Sequence, residues 1–189
     1  QTVVAGGMEN LSQAPHVLRG MRDTYKLARP PKAGVELEKD MEDYLFTNLL
    51  DGMCGSFMAQ TSDEICKRKG VTREETDEFA AMSHARTAAS IDSGVWEQEI
   101  VSVNDVTFKD EDHVVRGSTA ESLAGLRTAF GPESLVTAGN ASQISDGAAA
   151  CLVMSREKAN ELGLECLATI TNYCAVGVAS EDVMSAPIP

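Results

Sequence analysis

The sequence predicts an α/β fold, because apolar runs of strand length flank segments that carry helix-start signals. Ala148–Met154 is an unbroken apolar run behind a Ser-Asp-Gly turn, and such a run is typical of a strand buried on both faces. Thr2–Ala5 predicts a second, short strand, which Gly6-Gly7 should end. Between these strands a Ser or Thr is followed three residues later by Glu at several places, and this spacing favours the start of a helix.

The first part of the chain predicts a turn and then a charged excursion from the sheet. Met8–Pro15 is polar, with Pro15 as its stop. Arg19–Lys32 is mainly basic and contains a Pro-Pro pair, whereas Glu36–Asp51 is mainly acidic. A change of charge around such a break is typical of a solvated loop.

Two helices are predicted next. Thr61 starts the first with a Thr-x-x-Glu capping box, and Gly70 ends it. Thr72 starts a longer helix that runs to about Ser93, with Gly94 as its stop. His84 lies within that helix and is interpreted as structural, since no second ligand occurs at metal-binding spacing on a matching face. One side of the longer helix is predicted to pack closely against a neighbour and consists of Thr76, Phe79, Ala80, Ser83, Thr87 and Ile91.

A strand, a loop and a short helix follow. Glu99–Val103 predicts a strand, and Asn104–His113 predicts a hairpin or an exposed loop. A capping box at Ser118-Thr119-Ala120-Glu121 predicts a helix from Thr119 to about Leu126. Arg127 and Phe130 come at its exit, and an arginine near an aromatic ring suits an adenine with its phosphates. The alternative is an ordinary helix end with a basic C-terminus and a core Phe.

The turn Thr137–Ser142 consists of small residues and precedes the apolar run. Gly139 and Gly147 allow a close backbone approach or a positive φ angle. Small residues leave room for a ligand, and their amides and hydroxyls can bind a polar arm. The alternative is a tightly packed loop before a central strand.

The last elements are a helix and a strand. Ser155 should cap a helix that ends at Gly163. Ala168–Val178 alternates in a way that predicts a strand with differing faces.

Composition excludes several classes of protein. The 189 residues include 43% hydrophobic and 24% charged residues, as in ordinary globular proteins. A net charge of −13 argues against nucleic acid or an anionic membrane as the main partner. No apolar stretch approaches the roughly 18 residues of a membrane span, and no signal peptide is visible.

The five cysteines form no C-x-x-C pair. An odd number without framework spacing favours buried free thiols over disulfides or zinc. We therefore expect a reducing compartment, the cytoplasm or, alternatively, the mitochondrial matrix. No metal site is predicted.

Several of these motifs resemble those of thiolases, the acyl-CoA acyltransferases. The resemblance begins with Thr137–Ser142 followed by Asp146–Ala150, and Val3–Pro15 is similar to an earlier strand and turn of that family. Three further pieces fit in the family's order, namely Arg73–Gly94, Leu126–Phe130 and Ala186–Pro189. The resemblance covers nearly the whole chain and implies that it is the middle portion of a thiolase.

The resemblance implies part of the thiolase fold. This is a mixed five-stranded sheet of the N-terminal half with an inserted α-rich loop domain, and the start of the C-terminal half. The strand and turn would be 1–15, the loop domain 16–136, the return to the sheet 137–165 and the second half 166–189. In thiolases, part of the loop domain joins dimers into tetramers. The alternative to a solvated loop is therefore that the charged segment Arg19–Asp51 contacts another subunit.

The resemblance also implies a surface for coenzyme A, which is a substrate of the family rather than a cofactor. Ser122, Ala129 and Phe130 match residues that contact pantetheine. Ala138, Gly139 and Ser142 match the loop that follows, with Ser142 as the hydrogen-bonding member. Leu49 and Met58 match the other wall, and Arg116 aligns near the arginine of the adenine end when a gap is allowed. Phe57 stands where the family often has histidine.

Thiolase chemistry needs an acyl-carrying cysteine, an acid and base, and oxyanion donors. In the family the cysteine precedes the matched segment, and the other groups come from Gly-His-Pro and Cys-x-Gly-Gly motifs, which this chain lacks. Cys54 is followed by Gly-Ser but lies downstream of the Ala-Gly-Gly strand, so it is not expected to be the nucleophile. We therefore expect part of the coenzyme pocket and no catalytic residue. The alternatives are a non-catalytic thiolase-like coenzyme A-binding protein and a subunit-interaction protein.

Overall fold

A computed structural model describes residues 1–18, 41–103 and 113–188. Both helices and strands are present, as an α/β fold requires. The chain divides into two compact units. Unit 1 comprises residues 1–52 and 144–177, and unit 2 comprises residues 53–143 and those from 178 onwards. Among the described residues, no helix is both long enough and apolar enough to cross a bilayer.

Unit 1 contains an antiparallel pair of nine-residue strands. β1 is Thr2–Asn10 and β6 is Asp146–Met154, with Thr2 opposite Met154 and Asn10 opposite Asp146. The predicted end of β1 at Gly6-Gly7 is therefore wrong. The strand continues because glycine fits a close approach between the two backbones: a Cβ atom on Gly6 would lie 2.5 Å from the carbonyl oxygen of Ala149.

The predicted burial of β6 on both faces is not found in this chain. Eight of its nine residues are exposed, and only Met154 is half-buried. In the described part of the chain β6 pairs with β1 alone. Because the residues of both strands are nearly all exposed, no further described layer covers either face of the pair. An isolated two-stranded ribbon is marginally stable in water, and exposed apolar residues such as Val4 and Leu152 are typical of a surface that needs a cover.

Ser12 and Asp146 fasten the turn after β1 to the start of β6. The Ser12 amide donates to Asp146 Oδ1 at 2.9 Å, and the Ser12 hydroxyl donates to the other carboxylate oxygen. These hydrogen bonds, the hydroxyl first, lower the pKa of Asp146. Because the folded-state pKa is lowered, this contribution to stability is present above the ordinary carboxyl pKa and is lost as pH falls through the lowered value.

Ser12→Ala is expected to raise the pKa of Asp146 toward its ordinary value, because the largest stabilising contact of the carboxylate is removed. An NMR titration of the Asp146 side chain measures this change. Ser145→Ala is the matched control, since it removes a hydroxyl next to Asp146 in sequence but outside this link. An equal shift in both variants would contradict the assignment.

The other elements of unit 1 are short. β2, His16–Leu18, pairs antiparallel with β3, Met41–Asp43, which leads into α1, Tyr44–Leu49, and β4, Leu50–Asp51. α5 is Arg156–Glu161, and the Ser155 hydroxyl accepts from the Lys158 amide at 3.3 Å, which confirms the predicted cap. The basic stretch Arg19–Lys32 and the start of the acidic one lie outside the described residues.

The strand predicted for Ala168–Val178 is absent. These residues carry no secondary structure and are exposed throughout. Alternation alone does not make a strand, because an extended segment needs a neighbour for its backbone hydrogen bonds. The described residues supply none here.

Unit 2 is built on two helices. α2 is Met58–Lys69 and α3 is Arg73–Asp92. The predicted box at Thr72 is confirmed, since the Thr72 hydroxyl accepts from the Glu75 amide at 3.2 Å and the Glu75 carboxylate accepts from the Thr72 amide at 2.8 Å. The predicted ends at Gly70 and Gly94 are also confirmed, with φ angles of 71° and 73°. The remaining elements are β5 (Ser56–Phe57), α4 (Ala120–Ala124) and the 3-10 turns Val95–Gln98 and Ser180–Ser185.

Two helix starts and one strand differ from the prediction. α2 begins three residues before Thr61, because the Gln60 side chain accepts the Phe57 amide at 3.0 Å and provides the cap. The predicted box at Ser118 and Glu121 is wrong, because Thr119 and Ser122 form it instead. Residues 99–102 form no strand and follow a 3-10 turn, and the predicted loop at 104–112 lies outside the described part of the chain.

Candidate functional site

The inner side of α3 carries the polar groups on which the candidate site is built. Asp77 and Ala80 are its buried residues, whereas Phe79 is 67% exposed. The predicted packing side is therefore wrong for Phe79 and Ser83 and right for Ala80, which is buried. The inward positions follow helical spacing from Arg73 through Asp77, Ala80 and His84.

Asp77 is the most buried charged residue described in unit 2. Its side chain is 1% exposed, and its carboxylate accepts from Arg73 Nε at 2.7 Å and from Asn140 Nδ2 at 3.1 Å. A buried carboxylate is tolerated when it is paired and hydrogen-bonded in this way. We call Arg73, Asp77 and Asn140 the polar hub.

Asn140 connects the polar hub to the small-residue turn. Its Oδ1 accepts from the Thr137 amide at 2.7 Å, and its Nδ2 also donates to the Leu135 carbonyl at 2.8 Å. The Thr137 hydroxyl in turn accepts from the Gly139 amide at 3.2 Å. The turn is thus held by side chains within it as well as by the hub.

Arg73 connects the same hub to the end of α4. Its Nη2 donates to the carbonyl of Leu123 at 2.8 Å and to that of Leu126 at 3.3 Å. Both carbonyls lie at the end of α4, where carbonyls lack the donors of a continuing helix. The Leu123 carbonyl also accepts from the Leu126 amide at 3.0 Å, so Arg73 adds a donor to this end. One ion pair on α3 therefore orients both segments that were predicted to bind the ligand.

Backbone pairing and a ring contact place the remaining segments beside one another. Thr128 forms an isolated antiparallel bridge with Thr137, and the Ala129 amide donates to the Val136 carbonyl at 2.8 Å. Phe130 stacks on Phe57 with ring centroids 6.0 Å apart. Residue 58 follows directly in sequence, so the start of α2 adjoins the same surface.

The predicted ligand residues differ in what they present to solvent. Ala138 and Ser142 are exposed, and the Ser142 hydroxyl has no hydrogen-bond partner among the described residues. Phe130 is 40% exposed. Ser122, by contrast, uses its hydroxyl in the α4 capping box, where it accepts from the Thr119 amide at 3.0 Å and donates to the Thr119 carbonyl at 2.8 Å.

Gly139 has a packing role. A Cβ atom at this position would lie 2.6 Å from both Leu123 Cδ2 and Leu126 Cδ1. On that side the space beside Gly139 is therefore filled by the protein's own leucines. Neither Gly139 nor Gly147 has a positive φ angle. Of the two roles expected for these glycines, Gly139 therefore shows the close approach, whereas a Cβ atom on Gly147 would meet nothing within 4 Å.

Arg116, Arg127 and Leu49 are the remaining residues predicted to border the ligand. Arg116 forms an exposed ion pair with Asp92 at 3.0 Å. The neighbouring Val115 amide donates to His84 Nδ1 at 3.3 Å, which gives His84 a structural contact. Arg127 is exposed. Leu49 lies at the end of α1 in unit 1, and its place beside the unit 2 residues stays a prediction.

Sequence reasoning missed the polar hub and one further buried carboxylate. Asp63 is 6% exposed and accepts from the Leu135 amide at 2.9 Å, which fixes the segment before the turn. The available signal was the four-residue spacing of Arg73 and Asp77, which places an ion pair on one helix side. No local signal identified Asn140, because it is 63 residues from Asp77.

The cysteines are all free, as predicted, but they are not buried. Cys151, Cys166 and Cys174 are exposed, and the other two are half-buried. Burial raises the pKa of the Cys66 thiol, and the negative charge of Asp63 adds to this effect. A raised pKa lowers the thiolate fraction, so Cys66 is less reactive than an ordinary exposed thiol.

Comparisons with known proteins show the family of this chain. Residues 1–157 match the family model described as "Thiolase, N-terminal domain". The chain is 39% identical to an acetyl-CoA acetyltransferase of Cupriavidus necator and 40% identical to one of Escherichia coli. Both matches cover 100% of this chain and 48% of the relative.

Solved structures are similar as well. The acetyl-CoA acetyltransferase of Syntrophomonas wolfei has a TM-score of 0.82 and 31% identity, covering 98% of this chain and 46% of that one. Human mitochondrial 3-ketoacyl-CoA thiolase, solved in complex with CoA, has a TM-score of 0.73 and 31% identity, covering 87% of this chain and 40% of that one. The chain thus spans about half the length of these relatives and forms part of their fold. By its sequence and its fold, the chain belongs to the thiolase family.

Proposed function

We propose that the protein containing this chain is an acyl-CoA C-acyltransferase, which catalyses Claisen condensation of acetyl-CoA or thiolysis of a 3-ketoacyl-CoA. In this proposal the chain supplies much of the coenzyme A pocket and none of the catalytic residues. The observation that carries the proposal is the anchored turn of small residues, which leaves Ala138 and the Ser142 hydroxyl facing solvent. The family membership gives that surface its chemistry.

A pantetheine arm suits this surface. The arm is long and narrow, and it contains amides that need hydrogen-bonding partners. Small side chains along the turn allow close approach, the Ser142 hydroxyl can donate or accept, and the half-exposed ring of Phe130 offers an apolar contact. Met58 and Ala129 border the same region, while Ser122 and Gly139 support it through the α4 cap and the leucine contact.

The adenine end of coenzyme A is assigned to the predicted basic residues, Arg116 and Arg127. Arg116 would leave its exposed ion pair with Asp92 to bind phosphate, which is inexpensive because exposed ion pairs contribute little to stability. A guanidinium binds two phosphate oxygens at once, which an ammonium group does less well.

Cys54 lies in the turn between β4 and β5, and we assign it no acyl-carrying role.

We also propose a homodimer or homotetramer in a reducing compartment, the cytoplasm or alternatively the mitochondrial matrix. The five free cysteines support the compartment. Sedimentation analysis measures the oligomer, and a monomer at micromolar concentration would contradict this part of the proposal.

Two observations test the proposal. Calorimetry measures the binding of coenzyme A to the protein, and the complete coding sequence shows which motifs flank this chain. We expect saturable binding, a cysteine motif before this chain and a Gly-His-Pro motif after it. Binding without those motifs would favour the non-catalytic thiolase-like protein. If no binding is measured at millimolar coenzyme A, the pocket assignment is wrong.

A further inference from the structure

We propose that Asp77 is a positioning residue, which acts through Asn140 to hold the turn Thr137–Ser142 in the conformation that receives the pantetheine arm. The inference rests on the proposed function, since it assigns a role within the same pocket. Asp77 itself is 1% exposed and so does not touch a ligand at the surface. Its effect on binding is therefore indirect.

The burial of the Asp77 carboxylate has an energetic cost. Removing a charge from water is unfavourable unless its oxygens are paired and hydrogen-bonded. An apolar side chain in the same position of α3 would avoid that cost, as Ala80 does one turn further on. The acid at position 77 instead joins α3 to another segment, 63 residues away.

Two chains of contacts lead outward from Asp77. In one, Asp77 holds Asn140, whose Oδ1 holds the Thr137 amide at 2.7 Å. In the other, Asp77 holds Arg73, whose Nη2 reaches the Leu123 carbonyl at 2.8 Å. The first chain ends in the turn that carries Ser142, and the second ends in the leucine that fills the space beside Gly139. The turn and the end of α4, which both border the proposed pantetheine surface, thus depend on a single carboxylate.

An isosteric change separates positioning from packing. A carboxylate accepts hydrogen bonds at both oxygens, whereas an amide accepts at one atom and donates at the other. Asp77→Asn therefore keeps either the Arg73 contact or the Asn140 contact and loses the other, with no change in volume. Asn140→Asp keeps an acceptor for the Thr137 amide. It also replaces Nδ2, which lies 3.1 Å from the Asp77 carboxylate, with a carboxylate oxygen. The two negative charges then repel each other.

The double exchange, Asp77→Asn with Asn140→Asp, reverses the donor and the acceptor of the hydrogen bond between positions 77 and 140. It thereby rebuilds the series of contacts from Arg73 to Thr137. The new amide at position 77 accepts from Arg73 and donates to the new carboxylate at position 140, which still accepts from Thr137. The Leu135 carbonyl loses its donor and would face a carboxylate oxygen at the position of Nδ2, which now lies 2.8 Å away. Because two acceptors repel each other, the rescue is expected to be incomplete.

The experiment measures binding of coenzyme A and of adenosine 3′,5′-bisphosphate, which lacks the pantetheine arm, to the whole protein and its three variants. Each single variant is expected to weaken coenzyme A binding about tenfold or more, a factor that corresponds to loss of one charge-assisted hydrogen bond. Bisphosphate binding should stay within about twofold, and the double variant should recover part of the affinity for coenzyme A.

Hydrogen exchange at the Thr137 and Gly139 amides provides a second measurement. Faster exchange in the folded single variants, reversed in the double variant, supports the proposal. Equal losses for both ligands, or no rescue by the double exchange, would show a general folding role and overturn it. If the wild-type protein binds coenzyme A and the single variants bind it equally well, the positioning role of Asp77 is wrong and the proposed function still holds. If the wild-type protein does not bind coenzyme A, the proposed function fails.

Discussion

Ser142→Trp is expected to abolish coenzyme A binding while the protein keeps its fold. Ser142 is exposed at the end of the anchored turn, and no described residue bonds its hydroxyl. An indole at this position therefore displaces none of the described hydrogen bonds. It does fill the space along the turn that the narrow pantetheine arm requires. We expect a loss of about a hundredfold or more in affinity by calorimetry, equivalent to roughly 3 kcal/mol.

Ser142→Ala is the graded control for this prediction. It removes the hydroxyl without adding bulk, so it should weaken binding only by about the 0.5–1.5 kcal/mol of one hydrogen bond. Thermal unfolding of both variants should match that of the wild-type protein. Unchanged affinity in the tryptophan variant would show that the arm does not lie along this turn.

Gly6→Ala is expected to separate β1 from β6. The added Cβ atom would lie 2.5 Å from the Ala149 carbonyl oxygen and 3.1 Å from Ala150 Cα, so the clash is with backbone atoms. A flexible side chain could rotate away, but two paired backbones relieve the overlap only by moving apart. Overpacking of this kind destabilises by about 1–3 kcal/mol, which is large for a two-stranded ribbon. Hydrogen exchange of the strand amides measures the loss.

Gly7→Ala is the matched control, because it lies next in the same strand. A Cβ atom on Gly7 meets nothing within 4 Å. Alanine also loses less backbone entropy than glycine on folding, so this variant should keep or slightly increase protection of the strand amides. Equal protection in the two variants would contradict the close approach at Gly6.

Features with a local cause were predictable from the sequence. The Thr72 box and the Gly94 stop depend on contacts within a few residues, and both are found where predicted. Predictions from local sequence were wrong where a segment distant in the sequence determines the secondary structure. The continuation of β1 through Gly6-Gly7 depends on β6, and the alternating residues 168–178 form no strand without a neighbour.

The sequence predicts a ligand surface, which stays a prediction, but it does not predict the contacts that support that surface. The family motifs predict that the turn and the exit of α4 form the ligand region. They did not identify which small residues serve packing, because the leucines beside Gly139 come from α4. Nor did they identify Asn140 as the connection to Asp77, since that contact depends on how the turn folds back onto α3.

A co-crystal structure of the protein with coenzyme A tests the central claim most directly. We expect the pantetheine arm to lie along Ala138 and Phe130, with one of its polar atoms within about 3.2 Å of the Ser142 hydroxyl. Coenzyme A bound elsewhere, with the turn Thr137–Ser142 still open to solvent, would contradict it.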